Sequence, residues 1–326
     1  MGPHIQSALS RKLRVAVLCG GPSAERVISL KSGSAVCRAL SEIGHAVHEI
    51  DPAVVDPAGC DWTRFDVAFI ALHGKFGEDG QIQQILEDAG IAYTGSGVDA
   101  SRLAFSKSAS KERFAQQAVP TAPYVLIHES DTPHRIVQQA MQIGFPLVVK
   151  PDTQGSSLGV SIVATARELP AALTRCFHYD SFGLLEQALV GEEWTVGMLD
   201  DRALPPIHIK TGRTFFDYEA KYEDSETRYD FDYDDSADDV ERIVQTARNA
   251  CAAVGTCGLA RVDLIVDQSG NPRVLEVNTI PGLTDHSLCP KAALRLGMSF
   301  ADLCQECLQS ALRRTGRRAT TRSVQG

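Results

Sequence analysis

The sequence predicts a mixed fold, α/β at its N-terminal end and α+β beyond it. Three observations lead there. The N-terminal third alternates short apolar runs with helical periods, the pattern of a doubly wound parallel sheet. Past residue 106 strand-like runs outnumber helical ones. Finally, 326 residues with 44% hydrophobic content exceed what one ordinary core accommodates, so two or three domains are expected.

Residues 14–19, RVAVLC, read as a buried parallel strand running into Gly20-Gly21, a tight loop. A helical period runs from about Glu25 to Gly44, a residue suited to a helix C-terminus because it tolerates the left-handed conformation. Residues 45–50 and 65–72 supply the next two strands. Loops 20–25 and 73–80 leave strand ends, where sheets of this kind place ligands. Strands follow at 124–127, 147–150, 161–163 and 183–189, with helices near 133–144 and 165–178. After strands at 194–199 and 206–210 comes a long irregular stretch, 211–235. It is acidic, but its FFDYEAKY is too aromatic for a solvated linker, so it reads as a lid that folds over a ligand. A helix over 237–254, a hairpin and an amphipathic run over 300–312 complete the order. The first eleven residues read as a flexible leader without a signal peptide's apolar segment, and the Arg- and Thr-rich end as a frayed tail.

Composition excludes several classes. A net charge of −9 is wrong for a dedicated nucleic-acid binder, which carries surplus Lys and Arg to neutralise phosphates. No apolar run approaches the roughly 20 residues a bilayer helix needs, so no membrane partner is expected. Nine cysteines, an odd number in a chain too large to need staples, point to a reducing compartment. Cys304 and Cys307 have C-x-x-C spacing, but no second pair or nearby histidines complete a metal site. They read as helix packing.

The hairpin carries the most chemistry. RVDLIV from Arg261 and VLEVN from Val274 alternate polar and apolar residues, so Arg261 and Asp263 share a face, as do Glu276 and Asn278. With Ser269-Gly270 as a two-residue turn, Asp263 faces Glu276 and Arg261 faces Asn278. Opposed carboxylates repel unless something requires them, and magnesium, which prefers a few carboxylates plus substrate phosphates, would. A second piece, KPDTQGSSLGV from Lys150, passes from a strand-end lysine into a loop with two glycines and two serines. Glycine lets backbone N–H groups approach phosphate oxygens and lysine adds charge. The lysine precedes the glycines, so this is not a P-loop.

From about residue 14 to 312 the chain resembles the D-alanine–D-alanine ligases of the ATP-grasp superfamily. The matching motifs, in order, are GGPSAERVISLKSG (20–33), HGKFGEDGQIQ (73–83), YTGSGVDAS (93–101), VVKPDTQGSSLGV (148–160), FFDYEAKY (215–222), RVDLIVD (261–267) and LEVNTIPGLTDHSL (275–288). The resemblance implies three domains: 12–105 with the parallel sheet, a central ATP-grasp unit at 106–190, and a catalytic unit at 191–315 carrying the lid at 211–235, with 316–326 a flexible tail. It implies ATP between the central and C-terminal sheets. Lys107, Lys150 and the lid's Lys221 would contact phosphates. Glu186, with the backbone of Ala188 and Leu189, would hold adenine, and Glu193 the ribose. Asp263, Glu276 and Asn278 would hold two Mg2+, or Mn2+ in their place. Glu25 would take the ammonium of the first D-alanine, near His73, while Ser287 and the Leu288 backbone would take the carboxylate of the second. Arg261 and the Gly282 N–H would stabilise the oxyanion, and Glu25, Ser156 and Tyr222 form a hydrogen-bonded trio.

The implied reaction activates the first carboxylate with the γ-phosphoryl group of ATP, and the second amine then attacks the acyl phosphate under a lid that excludes water. It would supply a peptidoglycan precursor in the cytoplasm, from a homodimer. Departures from the family pattern are Val27 for Glu, Ser106 for Asp, Phe216 for Tyr, and TRYDFDYDDS without the usual Cys-Pro. Ligases using D-serine or D-lactate as second substrate, and a non-catalytic ATP-binding relative, are the rival readings. Tyr222 speaks against D-lactate, and the complete set Arg261, Asp263, Glu276 and Asn278 against loss of catalysis.

Overall fold

The computed structural model describes residues 11–210, 227–233, 236–284 and 286–324. Lys221, Tyr222, Phe216 and most of the expected lid lie outside the described residues.

The N-terminal sheet has the order β2-β1-β3, all parallel, from β1 (Arg14–Leu18), β2 (Ala46–Ile50) and β3 (Val67–Ile70). Alternate residues of β1 enter different cores. Val15 and Val17 pack with Val36 and Leu40 of α1 (Arg26–Glu42), whereas Ala16 and Leu18 pack with Ile82 and Leu86 of α2 (Gln81–Asp88). Helices on both faces explain why the strand is an unbroken apolar run. As expected, a doubly wound layer forms and Gly44 takes φ 92° just past α1.

Two helices, α3 (Val98–Phe105) and α4 (Lys107–Gln116), lead into the middle of the chain. The central sheet, β4-β7-β5-β6, is antiparallel throughout, from β4 (Tyr124–His128), β5 (Leu147–Pro151), β6 (Ser161–Val163) and β7 (Phe182–Gln187). Helices α5 (Pro133–Ile143) and α6 (Leu169–Phe177) cover one face, where Ile136, Ala140, Leu169 and Ala172 meet Leu147, Val149 and Leu185. The period of two therefore turns Val148, Lys150 and Glu186 to the other face.

The third sheet runs β11-β10-β8-β12-β13, with β9 (Arg202–Ala203) hydrogen-bonded to β8. Its strands are β8 (Gly191–Leu199), β10 (Ile207–Lys210), β11 (Arg228–Asp230), β12 (Leu259–Asp267) and β13 (Pro272–Asn278). Helix α7 (Ala237–Val254) packs Ile243, Ala247 and Ala250 on Val196, Val262 and Val274, joined by Phe114 and Val119. Its ends follow its sequence. Ser236 caps the N-terminus by accepting from the Asp239 N–H, Asp238 and Asp239 sit in the first turn, and Gly255 takes φ 81° at the C-terminus.

Two elements depart from expectation. Helix α8 (Leu288–Arg295) is too short for its period to stand out. Helix α9 runs Phe300–Val324, so the end expected to fray has a helical backbone. Leu303, Cys304, Cys307 and Leu308 anchor its first turns in the N-terminal core, and once started a helix propagates through Arg and Ala without needing an apolar face. Cys304 and Cys307 are both buried, and all nine cysteines are free, as packing residues should be. Among the described residues no helix is long and apolar enough to cross a membrane.

Candidate active site

The hairpin places its polar residues in the expected register: Arg261 faces Asn278 and Asp263 faces Glu276. The turn does not have the expected form. Asp267 N–H donates to Asn271 O and Gly270, at φ 75°, donates to Asp267 O, so the bond between 267 and 271 closes a loop of three residues, 268–270, rather than two. A register shift between Asp263 and Leu264 then restores the pairing farther along. Two one-residue departures cancel.

Asp263, 6% exposed, accepts these four hydrogen bonds among the described residues. Thr195 Oγ1 (2.6 Å) and Arg261 Nε (2.8 Å) donate to Oδ1, while Arg261 Nη2 (2.7 Å) and Asn278 Nδ2 (3.1 Å) donate to Oδ2. Burial opposes the charge of Arg261, but the Asp263 carboxylate outweighs it and holds the guanidinium pKa above its ordinary value. Glu276 projects opposite, with Lys107 Nζ at 3.7 Å.

On the central sheet, Lys150 Nζ lies 3.0 Å from both oxygens of the fully buried Glu186. Lys111 Nζ approaches the same carboxylate at 2.7 Å and donates to Thr121 Oγ1 at 2.6 Å. Burial would raise the Glu186 pKa, but the two lysines outweigh it and lower it. Burial also lowers Lys111, to about 8, against the pull of Glu186. Glu186 and Lys111 therefore form an ion pair at neutral pH. Sequence reading missed Lys111, though its i, i+4 spacing from Lys107 on α4 was a signal.

The loop after β5 is pinned at its start. Thr153 donates to Asp180 from its N–H (2.8 Å) and Oγ1 (2.6 Å), and Asp152 accepts from Ser106 Oγ (2.8 Å) and the Ser108 N–H (2.7 Å). Ser106 in turn caps α4, so the serine standing where the family has Asp is served by an acid from the neighbouring loop. Lys107 Nζ reaches the Gln154 carbonyl at 2.5 Å. Ser156 and Ser157 take φ 51° and 56°, a left-handed conformation costly for any residue but glycine and concentrated at functional loops. Asp152→Ala is therefore expected to lower unfolding free energy by ~1–2 kcal/mol, since it leaves two part-buried donors without their acceptor. It should also raise KM for ATP several-fold while leaving that for the amino acid unchanged; urea unfolding and steady-state kinetics check both.

From the N-terminal sheet, Glu25 stands at the start of α1 without capping it. Its carboxylate instead accepts a hydrogen bond from Ser156 Oγ, across 131 residues of chain. Burial first, then the neighbouring Glu78, raises its pKa, with Ser156, His73 and Lys107 opposing. A Cβ on Gly74 would lie 2.6 Å from Glu25 Oε2, and one on Gly155 2.9 Å away, so a side chain at either glycine would have to displace this carboxylate. His73, 5% exposed, sits between Ser32 Oγ (3.1 Å) and Glu78 Oε1 (3.5 Å). A clamp that sequence reading missed holds the 20–25 loop. Arg26 pairs with Asp51 through two bonds (2.9 and 2.6 Å), and chiefly this guanidinium lowers Asp51 to about 2.

These groups line two cavities. One of about 340 Å³ lies between the central and third sheets and takes in Lys107, Lys150, Glu186, Ala188, Leu189, Glu193 and Asp263. The other, about 210 Å³, collects Glu25, His73, Ser156, Arg261, Asn278, Gly282, Ser287 and Leu288. Gly155 and Glu276 belong to both walls. A Cβ on Gly282 would meet Ser287 Oγ at 2.9 Å, and that hydroxyl accepts from the Thr284 N–H instead of capping α8. Of the expected site residues, every described one is thus brought to one of two adjoining cavities.

A nucleotide-sized cleft between two antiparallel sheets, opening through a glutamate onto a small polar chamber, defines the class: an ATP-grasp ligase. Residues 114–309 match the family described as D-ala D-ala ligase C-terminus, and residues 56–96 match its N-terminus. The D-alanine--D-alanine ligase of Stutzerimonas stutzeri is 45% identical over 300 residues, 92% of this chain and 94% of that protein. The crystal structure of D-alanine--D-alanine ligase from Bacillus anthracis superposes with a TM-score of 0.82 at 34% identity, covering 94% of this chain and 99% of that one. The Bacillus anthracis ligase complexed with ATP gives 0.81 at 30% identity, with the same coverage of 94% and 99%. The chain belongs to the D-alanine–D-alanine ligase family.

Proposed function

We propose that this chain ligates two D-alanines to D-alanyl-D-alanine, converting ATP to ADP and phosphate through a D-alanyl phosphate. The observation that carries the reading is the wall common to the two cavities, Gly155 with Glu276. A carboxylate seated in the smaller chamber lies against a phosphoryl group delivered from the larger one.

The roles follow from charge. Glu25 accepts the ammonium of the first amino acid beside His73, and its bond from Ser156 ties that amino acid to the phosphate loop. Lys107 and Lys150 neutralise phosphate oxygens. Lys150 is oriented by Glu186, whose carboxylate is committed to lysines, so adenine recognition falls to the neighbouring backbone at Ala188 and Leu189. Glu193 takes the ribose. Ser287 and the Leu288 N–H, at the start of α8, hold the second carboxylate. The neutral second amine attacks the acyl carbon, Arg261 and the Gly282 N–H receive the oxyanion, and collapse expels phosphate. Lys221 and Tyr222 belong to the same proposal as phosphate contact and lid partner.

Asp263, Glu276 and Asn278 fit magnesium: the two carboxylates line the nucleotide cavity, the amide lines the adjoining chamber that shares Glu276, and all three are hard oxygen donors on neighbouring strands. Bound there, two Mg2+ would supply charge neutralisation for the transferring phosphoryl group. The division at 12–105, 106–190 and 191–315, a homodimeric assembly, and cytoplasmic supply of a peptidoglycan precursor are parts of the same proposal.

Phosphate release with ATP and Mg2+ tests it, comparing D-alanine, L-alanine, D-serine and D-lactate as substrates. D-Alanine should drive release with stoichiometric dipeptide, and L-alanine should not. Release that no D-amino acid stimulates would sink the reading.

A further inference from the structure

We propose that Tyr229 is the wall that limits side-chain size in the second amino acid's subsite, backed by Lys291 and Arg295 of α8. The inference rests on the ligase reading above. Strand β11 pairs antiparallel with β10, placing Tyr229 opposite Ile209. Tyr229 and Phe231, two residues apart, both pack on the core shared with Leu288. On α8, Lys291 and Arg295 are one turn apart and face that strand. Lys291 Nζ lies 4.1 Å from the centroid of the Tyr229 ring, and Arg295 Cζ lies 4.6 Å from that of Phe231 while pairing with Asp232 at 3.6 Å.

Leu288, the first residue of this helix, and Ser287 just before it are those assigned to the second carboxylate, and Tyr229 lines the same cavity beside them. One rigid element thus presents the carboxylate site and fixes the ring that faces it. Lys291 is outside the cavity wall, and burial lowers its pKa; a ring face is a suitable neighbour for such a desolvated ammonium. Phe231 and Asp232 attach the run just past β11 to α8 through Arg295. Against a fixed wall, one additional methylene discriminates about 10–200-fold.

The test is a competition between D-alanine and D-2-aminobutyrate, with the mixed dipeptides resolved by chromatography. Tyr229→Ala should raise D-alanyl-D-2-aminobutyrate relative to D-alanyl-D-alanine at least about tenfold. Tyr229→Phe should leave that ratio unchanged, and Lys291→Met should raise it several-fold. The share of product with D-2-aminobutyrate in first position should stay constant, because Glu25 and His73 line that end. A ratio within twofold of wild type in folded Tyr229→Ala overturns the proposal. If that variant does not fold, an unchanged ratio in Lys291→Met overturns it. A wild-type enzyme that makes no dipeptide overturns the ligase reading itself and takes this one with it.

Discussion

Glu276→Gln is expected to abolish turnover while leaving the fold intact. The substitution preserves shape and removes one charge from a wall that, among the described residues, both cavities share through Glu276 and Gly155. Asp263 cannot replace it. That carboxylate is already matched by the Arg261 guanidinium and bonded by Thr195 and Asn278, whereas Glu276 has Lys107 at 3.7 Å. Without Glu276, the cations proposed at this hairpin would lose one of two carboxylate ligands, and Lys107 would lose its counter-charge. Loss of an electrostatic group acting on developing charge costs ~10²–10³ in kcat, and more when it also anchors a metal. The Glu276 side chain is 29% exposed, so the melting temperature should move little. Steady-state phosphate release and a Mg2+ titration of nucleotide binding separate the effects: affinity for Mg-nucleotide should weaken, and excess Mg2+ should not restore the rate. Near-normal turnover would refute the metal assignment.

What was legible in the sequence divides along a physical line. Strand periodicity is local, so the apolar run of β1 and the alternation of β12 and β13 identified two of the three sheets and the face on which Asp263 and Glu276 meet. Turn length is also local, yet it was misread. The hairpin takes a three-residue loop, and only the later register shift brings Asp263 opposite Glu276. Partners far apart in the chain left no such trace. Nothing near Lys111 indicates Glu186, nothing near Arg26 indicates Asp51, and a lone Asp152 gives no sign that it serves Ser106. These contacts exist only once sheets are packed. They were reached in part through the family resemblance, which supplied Glu186 and Lys150 as neighbours of one ligand without revealing that they pair with each other. The helical end of α9 failed for a different reason, because a helix begun in a core continues through residues that have no apolar period.

Glu25→Gln should lose activity and gain stability. Burial, aided by Glu78, raises the carboxyl pKa above its unfolded value despite the bond from Ser156 and the nearby His73 and Lys107. Between the unfolded value, about 4.3, and the raised one, the folded chain holds a proton that the unfolded chain has released. The sign follows: this group's contribution to stability is complete below about pH 4 and is lost as pH rises through the folded pKa. At pH 7 to 8 the buried carboxylate is therefore a net liability to the fold, retained because an ammonium must be bound there. Glutamine removes the charge and keeps an oxygen for Ser156 Oγ. The melting temperature at pH 7.5 should rise by roughly 2–4 °C per kcal/mol recovered, and the gain should shrink toward zero as the buffer approaches pH 4. Activity should fall about 10²–10³, chiefly in KM for the first D-alanine, since a charged acceptor is replaced by a neutral one. Thermal scans from pH 4 to 8 decide it. A variant less stable than wild type at pH 7.5 would show that Glu25 supports the fold, and a gain that persists unchanged in acid would show that its charge is not what costs stability.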